Sequence, residues 1–137
     1  VLNRAGDIVG YTAGNDVSSR DIEGENALYL PQAKVYDGSC ALGPGIVVAS
    51  ADAQRALPIG LSIMRNGETL FAGEASTSQL KRGLEEMASW LFRELEFPAG
   101  AMLMTGTCLV PDDDFTLSPG DRVRISIGNL SIENPVE

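Results

Sequence analysis

Apolar positions recur mostly at every second residue along this chain, and in one stretch at every third or fourth. In residues 7–15, Ile8 and Val9 lead into Tyr11 and Thr12, a mix that suits a pleated, half-buried surface. That predicts a strand entered from a turn at residues 3–6, with Asp16 at its end. Residues 46–49 read as a short buried strand behind the punctuation of Gly43, Pro44 and Gly45, and residues 50–55 as loop. The clearest hairpin lies at residues 57–75. There Leu61 and Ile63 alternate with Ser62, and Asn66 and Gly67 supply the positive-φ positions of a type I′ turn. Leu80, Leu84, Met87, Leu91 and Leu95 then follow helical spacing, which predicts one long helix from a cap at Ser76, Thr77 or Ser78 to about Leu95. Pro98 and Gly100 end it. Residues 101–105 read as a central strand. A last hairpin aligns Val123, Ile125 and Ile127 and turns at Gly128 and Asn129 into residues 130–132. The sum is an α+β chain, mostly β, arranged as a mixed β-roll or sandwich with one main helix rather than as a doubly wound sheet.

Bulk properties narrow the function classes. With 137 residues, 44% of them hydrophobic, the chain suffices for one core, so residues 1–137 are read as a single domain. Without a bilayer-length apolar run or a secretory leader, the expectation is a soluble, cytoplasmic protein with no membrane partner. A formal charge of −9 argues against nucleic acid as a partner, because phosphate binding needs clustered Lys and Arg. Cys40 and Cys108 are too few for a disulfide framework. The absence of histidine matters most. It excludes Ser-His-Asp and Cys-His arrangements and the HExxH zinc motif within these residues, and leaves carboxylates, lysine, hydroxyls or an oxygen-bound hard metal ion.

Residues 10–44 show little periodicity and gather Asp16, Arg20, Asp21, Glu23, Glu25 and Lys34. Taken singly, an aspartate after Gly14 and Asn15 is ordinary turn chemistry, and a lone lysine is ordinarily solvated. Together they mark a candidate site, since loops between strands are where functional groups are aimed. Glu23 or Glu25 can serve as general acid or base if partly buried. The run at residues 112–114 reads as a solvated acidic loop, because consecutive strand residues cannot all face one ion. Thr105, Gly106 and Thr107 suit a strand-ending turn equally well, although their N–H groups and hydroxyls can also cradle a carboxylate or oxyanion.

The segments GYTAGNDVSSRDIE, QAKVYDGSCALGP and LMTGT together resemble the fumarylacetoacetate hydrolase family, in the later part of its catalytic domain. The resemblance implies a β-roll fold, a homodimer and a Mg²⁺ (or Mn²⁺ or Ca²⁺) ion held by three carboxylates. One of them matches Asp16, and a Glu-x-Glu pair preceding the matched region supplies the others. It further implies Arg20 and Lys34 at the substrate and Thr107, with Thr105 and Gly106, at the substrate's carboxylate; Lys34 also counts as catalytic. Glu23 falls where the hydrolase and acylpyruvase branches carry glutamine. With EGEN, LYLPQAK, PDDDFTLSPGD and the ending ENPV, the chain is more similar to the sugar-acid dehydratases of the family. The expected activity is a lyase acting on 2-oxo acids through a metal-stabilised enolate, dehydrating a 2-keto-3-deoxy sugar acid such as 2-keto-3-deoxyarabinonate. The alternatives are a hydrolase or decarboxylase of fumarylacetoacetate- or acylpyruvate-like substrates, and an inactive fragment or binding module without the Glu-x-Glu ligands.

Overall fold

The structure, a computed structural model, describes residues 1–106 and 109–137. Strands β1 (Gly10–Asp16) and β2 (Cys40–Val48) pair antiparallel in one small sheet. A second antiparallel sheet takes β3 (Pro58–Arg65), β4 (Glu68–Ser76), β5 (Arg122–Ile127) and β6 (Leu130–Pro135) in the order β4-β3-β5-β6. The small sheet packs on this one through β1 against β5 and β6 and through β2 against β6. Both predicted hairpins form, and the first has Asn66 and Gly67 at φ 52° and 82° as its turn requires. The class is α+β and mostly β.

Four expectations are corrected. The stretch between β1 and β2 is not bare loop: it carries α1 (Arg20–Glu25), a 3₁₀ turn (Ala27–Tyr29) and α2 (Leu30–Lys34). Strand β2 is longer than residues 46–49, and Ile46 and Val48 are exposed rather than buried. Pro44 sits inside it because the register jumps there, with Tyr11 opposite Val47 but Ala13 already opposite Gly43. The irregularity leaves Pro44 without a ladder partner, where a missing N–H is tolerated, and the Thr12 hydroxyl donates to the Gly45 carbonyl at 2.8 Å across it.

The long helix is also broken. A capping box centred on Ser76 and Gln79 closes only the 3₁₀ turn Thr77–Gln79, and Leu80 and Gly83 are extended at ψ 125° and 150°. Glycine is a poor helix interior residue, so α3 starts after it and spans Leu84–Leu91. Lastly, residues 101–105 form no strand. Ala101 makes a single bridge to Leu2, N–H to carbonyl in both directions at 2.9 and 2.8 Å. No helix among the described residues is long and apolar enough to cross a membrane.

Among the described residues the buried apolar ones are Leu2, Ala13, Ala33, Ile63, Ala88 and Val123, with Ala13 and Val123 on elements where the sheets meet. Beside them lies an open hollow of about 1050 Å³, whose floor includes Leu61, Ile63 and Ile125 of the larger sheet. The polar segment between β1 and β2 reaches its mouth.

Candidate active site

Asn15 and Asp16 divide two tasks at the end of β1. Asn15 is buried and donates from Nδ2 to Asn134 Oδ1 on β6 at 3.2 Å, which ties β1 to the larger sheet. Both line the hollow, and Asp16, one residue on, is the more exposed of the two. The chain then folds back on α2. Val17 N–H donates to the Ser39 carbonyl at 2.8 Å, the Tyr36 hydroxyl to the Val17 carbonyl at 2.8 Å, and Ser19 N–H to the Ala33 carbonyl at 2.9 Å. With Ala33 fully buried beneath it, this stitching fixes Lys34, the last residue of α2.

Lys34 is thereby brought among three oxygen groups. Its ammonium donates to Ser18 Oγ and lies 3.5 Å from Asp16 Oδ2 and 3.8 Å from Glu23 Oε1. The Lys34 and Asp16 side chains stay 33% and 32% exposed, so the cluster is open to a ligand. Ser18 occupies a serine position of the GYTAGNDVSSRDIE segment that carries the family resemblance, but its contact with Lys34 emerges only from the fold-back of α2. Glu25, the other glutamate considered for proton transfer, is exposed and off the wall of the hollow.

Arg20 is directed elsewhere. Its Nη1 donates to the Pro111 carbonyl and its Nη2 to the Asp112 carbonyl, both at 2.9 Å, with Asp113 Oδ1 at 3.4 Å. The side chains of residues 112–114 are solvated, as expected. Thr105 and Gly106 line the hollow, while Thr107 lies outside the described residues.

The donors at the cluster are carboxylate and hydroxyl oxygens, the chemistry that suits a hard cation such as Mg²⁺, Mn²⁺ or Ca²⁺ rather than a soft one. Among the described residues no three metal-ligating side chains gather. Asp16 with its described neighbours therefore does not make a complete ligand set for such an ion.

The pattern described as Fumarylacetoacetate (FAA) hydrolase C-terminal matches residues 3–137. Over 131 residues, 95% of the chain, it is 46% identical to a probable 2-keto-3-deoxyxylonate dehydratase of Haloferax volcanii. Over 132 residues it is 44% identical to the 2-dehydro-3-deoxy-D-arabinonate dehydratase of Saccharolobus solfataricus. A solved 2-keto-3-deoxy-D-arabinonate dehydratase, complexed with magnesium and 2,5-dioxopentanoate, superposes over 100% of the chain with a TM-score of 0.94 at 43% identity. The chain spans about half the length of these relatives, 45% and 44% of the first two and 50% of the third. With the pattern covering nearly every residue and the same fold in its relatives, this chain belongs to the fumarylacetoacetate hydrolase family.

Proposed function

We propose that this chain contributes the active site of a hydro-lyase that removes water from a 2-keto-3-deoxy sugar acid such as 2-keto-3-deoxyarabinonate, with Mg²⁺, or Mn²⁺ or Ca²⁺, as cofactor. The carrying observation is the single ammonium of Lys34 held among Asp16, Ser18 and Glu23 at the mouth of the hollow. Likeness to dehydratases at 44% and 46% identity supports the same substrate class. Asp16 is the ligand this chain offers the cation. When bound, the cation withdraws electron density from the 2-oxo carbonyl and makes the neighbouring C3 hydrogen acidic.

The chain's own groups then divide the work. Lys34 sets a second positive charge where negative charge develops on the 2-oxo oxygen. Glu23 takes the C3 proton or delivers one to the departing C4 hydroxyl, so that one C–H and one C–O bond break, a C=C bond forms and one water leaves. A carboxylate can carry that proton and the amide of a glutamine cannot, which favours a lyase over a hydrolase at this position. Thr105, Gly106 and Thr107 receive the substrate carboxylate. Residues 1–137 form one structural unit of a larger catalytic domain, in a cytoplasmic homodimer.

Incubating the active protein with a 2-keto-3-deoxypentonate and Mg²⁺, and in parallel with an acylpyruvate, separates the readings. Loss of one water from the sugar acid is expected. Cleavage of the acylpyruvate alone makes it a hydrolase; no turnover of either, with no Mg²⁺ heat in calorimetry, makes it a binding module.

A further inference from the structure

We infer that Arg20 is a positioning residue, a latch that holds the loop at residues 111–115 as a wall of the substrate hollow, and that it does not itself grip the substrate. Arg20 opens α1, the same short helix that carries Glu23 toward Lys34. Its guanidinium reaches the loop across 91 and 92 residues of sequence and places one terminal nitrogen on each of two successive main-chain carbonyls. That is the planar fork which arginine has and lysine lacks. It is also the fork that would grip a substrate carboxylate, and here it is spent on the loop.

The loop is built to be held at this point. The Asp112 carbonyl accepts from Arg20 Nη2 at 2.9 Å and from Phe115 N–H at 3.0 Å, so the latch and the turn closing residues 112–115 share one oxygen. Asp113 adds little: its side chain is fully exposed and its nearest approach is 3.4 Å. The held segment is at the same time the wall, since Pro111, Asp113, Phe115 and Leu117 all line the hollow. One six-residue helix therefore sets the separation between Glu23, with the Lys34 beside it, and the surface against which the body of the substrate rests. Loss of the latch leaves the reacting groups in place and loosens the wall.

The test combines amide hydrogen exchange without substrate and steady-state kinetics on the active protein, for Arg20→Gln, Arg20→Lys and Asp113→Asn. Losing two hydrogen bonds to a charged donor is expected to speed exchange at Phe115 about tenfold or more in both arginine variants. KM for the sugar acid rises about tenfold and kcat stays within about threefold, the pattern of lost binding rather than lost chemistry. Asp113→Asn leaves exchange at Phe115 at the wild-type rate. Unchanged exchange at Phe115 in Arg20→Gln overturns the latch, and wild-type exchange in Arg20→Lys overturns the fork. A collapse of kcat at unchanged KM overturns it too, placing Arg20 at the reacting atoms. The kinetic arm rests on the dehydratase reading, whereas the exchange arm needs no turnover, so the failure of one is distinguishable from that of the other.

Discussion

Lys34 holds a compact ammonium with three donor directions, and the residues around it set what those directions can serve. Because the cluster is a third exposed, its ion pairs contribute about 1 kcal/mol or less to stability. Their value is electrostatic positioning at the hollow. Lys34→Met is therefore expected to lower kcat on the order of a hundredfold while the unfolding midpoint in urea barely moves. Asp16→Ala is expected to abolish metal-dependent turnover with an intact circular dichroism spectrum; wild-type activity at the same Mg²⁺ concentration would remove Asp16 from the metal site. The grouping of Asp16, Glu23 and Lys34 was legible because one polar segment between strands gathers them. The contact of Ser18 with Lys34 was not, since a motif position does not say which side chain it meets until α2 folds back beside it. The acceptors of Arg20 were invisible for a stronger reason: they are backbone carbonyls, which every residue possesses, about ninety positions away.

Element by element, local rules succeeded where the local signal was complete. The β3–β4 hairpin needed only Asn66 and Gly67 and alternating apolar positions. The helix predicted to about Leu95 failed because leucine spacing alone does not see that Ser76 and Gln79 spend their side chains closing a single turn. Two glycines separate backbone conformation from packing in a test. A Cβ at Gly67 meets nothing within 4 Å, so Gly67→Ala suffers only from its φ of 82°, about 1–2 kcal/mol, and leaves turnover unchanged. A Cβ at Gly10 would sit 2.3 Å from the Val47 carbonyl oxygen, forcing β1 away from β2. Gly10→Ala is expected to destabilise more than Gly67→Ala in urea unfolding, and also to lower turnover because β1 delivers Asp16. Equal, mild losses in both variants would mean that the small sheet tolerates separation.

For the whole molecule, one buried carboxylate at the start of β5 makes a distinct contribution to acid stability. Asp121 is fully buried, receives both nitrogens of the Arg65 fork at 2.7 and 2.8 Å and accepts from Ser118 N–H at 2.8 Å. The Arg65 hydrogen bonds, followed by the one from Ser118, hold its carboxyl down to about 2 from an ordinary 3.8. Its main chain also ties down the end of β6, with Val136 N–H donating to the Asp121 carbonyl at 2.8 Å. The folded form thus favours the ionised carboxylate more than the unfolded chain does. That stabilisation is complete above about pH 4 and disappears as pH falls through about 2, because only the unfolded chain takes up the proton in between. With a formal charge of −9, many other carboxylates titrate over the same range, so the difference between two proteins is the informative quantity. Urea unfolding from pH 7 to pH 2 is expected to show Asp121→Asn less stable than wild type at pH 7, with the gap narrowing between about pH 4 and pH 2. A gap that stays constant across that interval would show that Arg65 holds the asparagine as well as it holds the carboxylate, and that the charge is not what secures the start of β5.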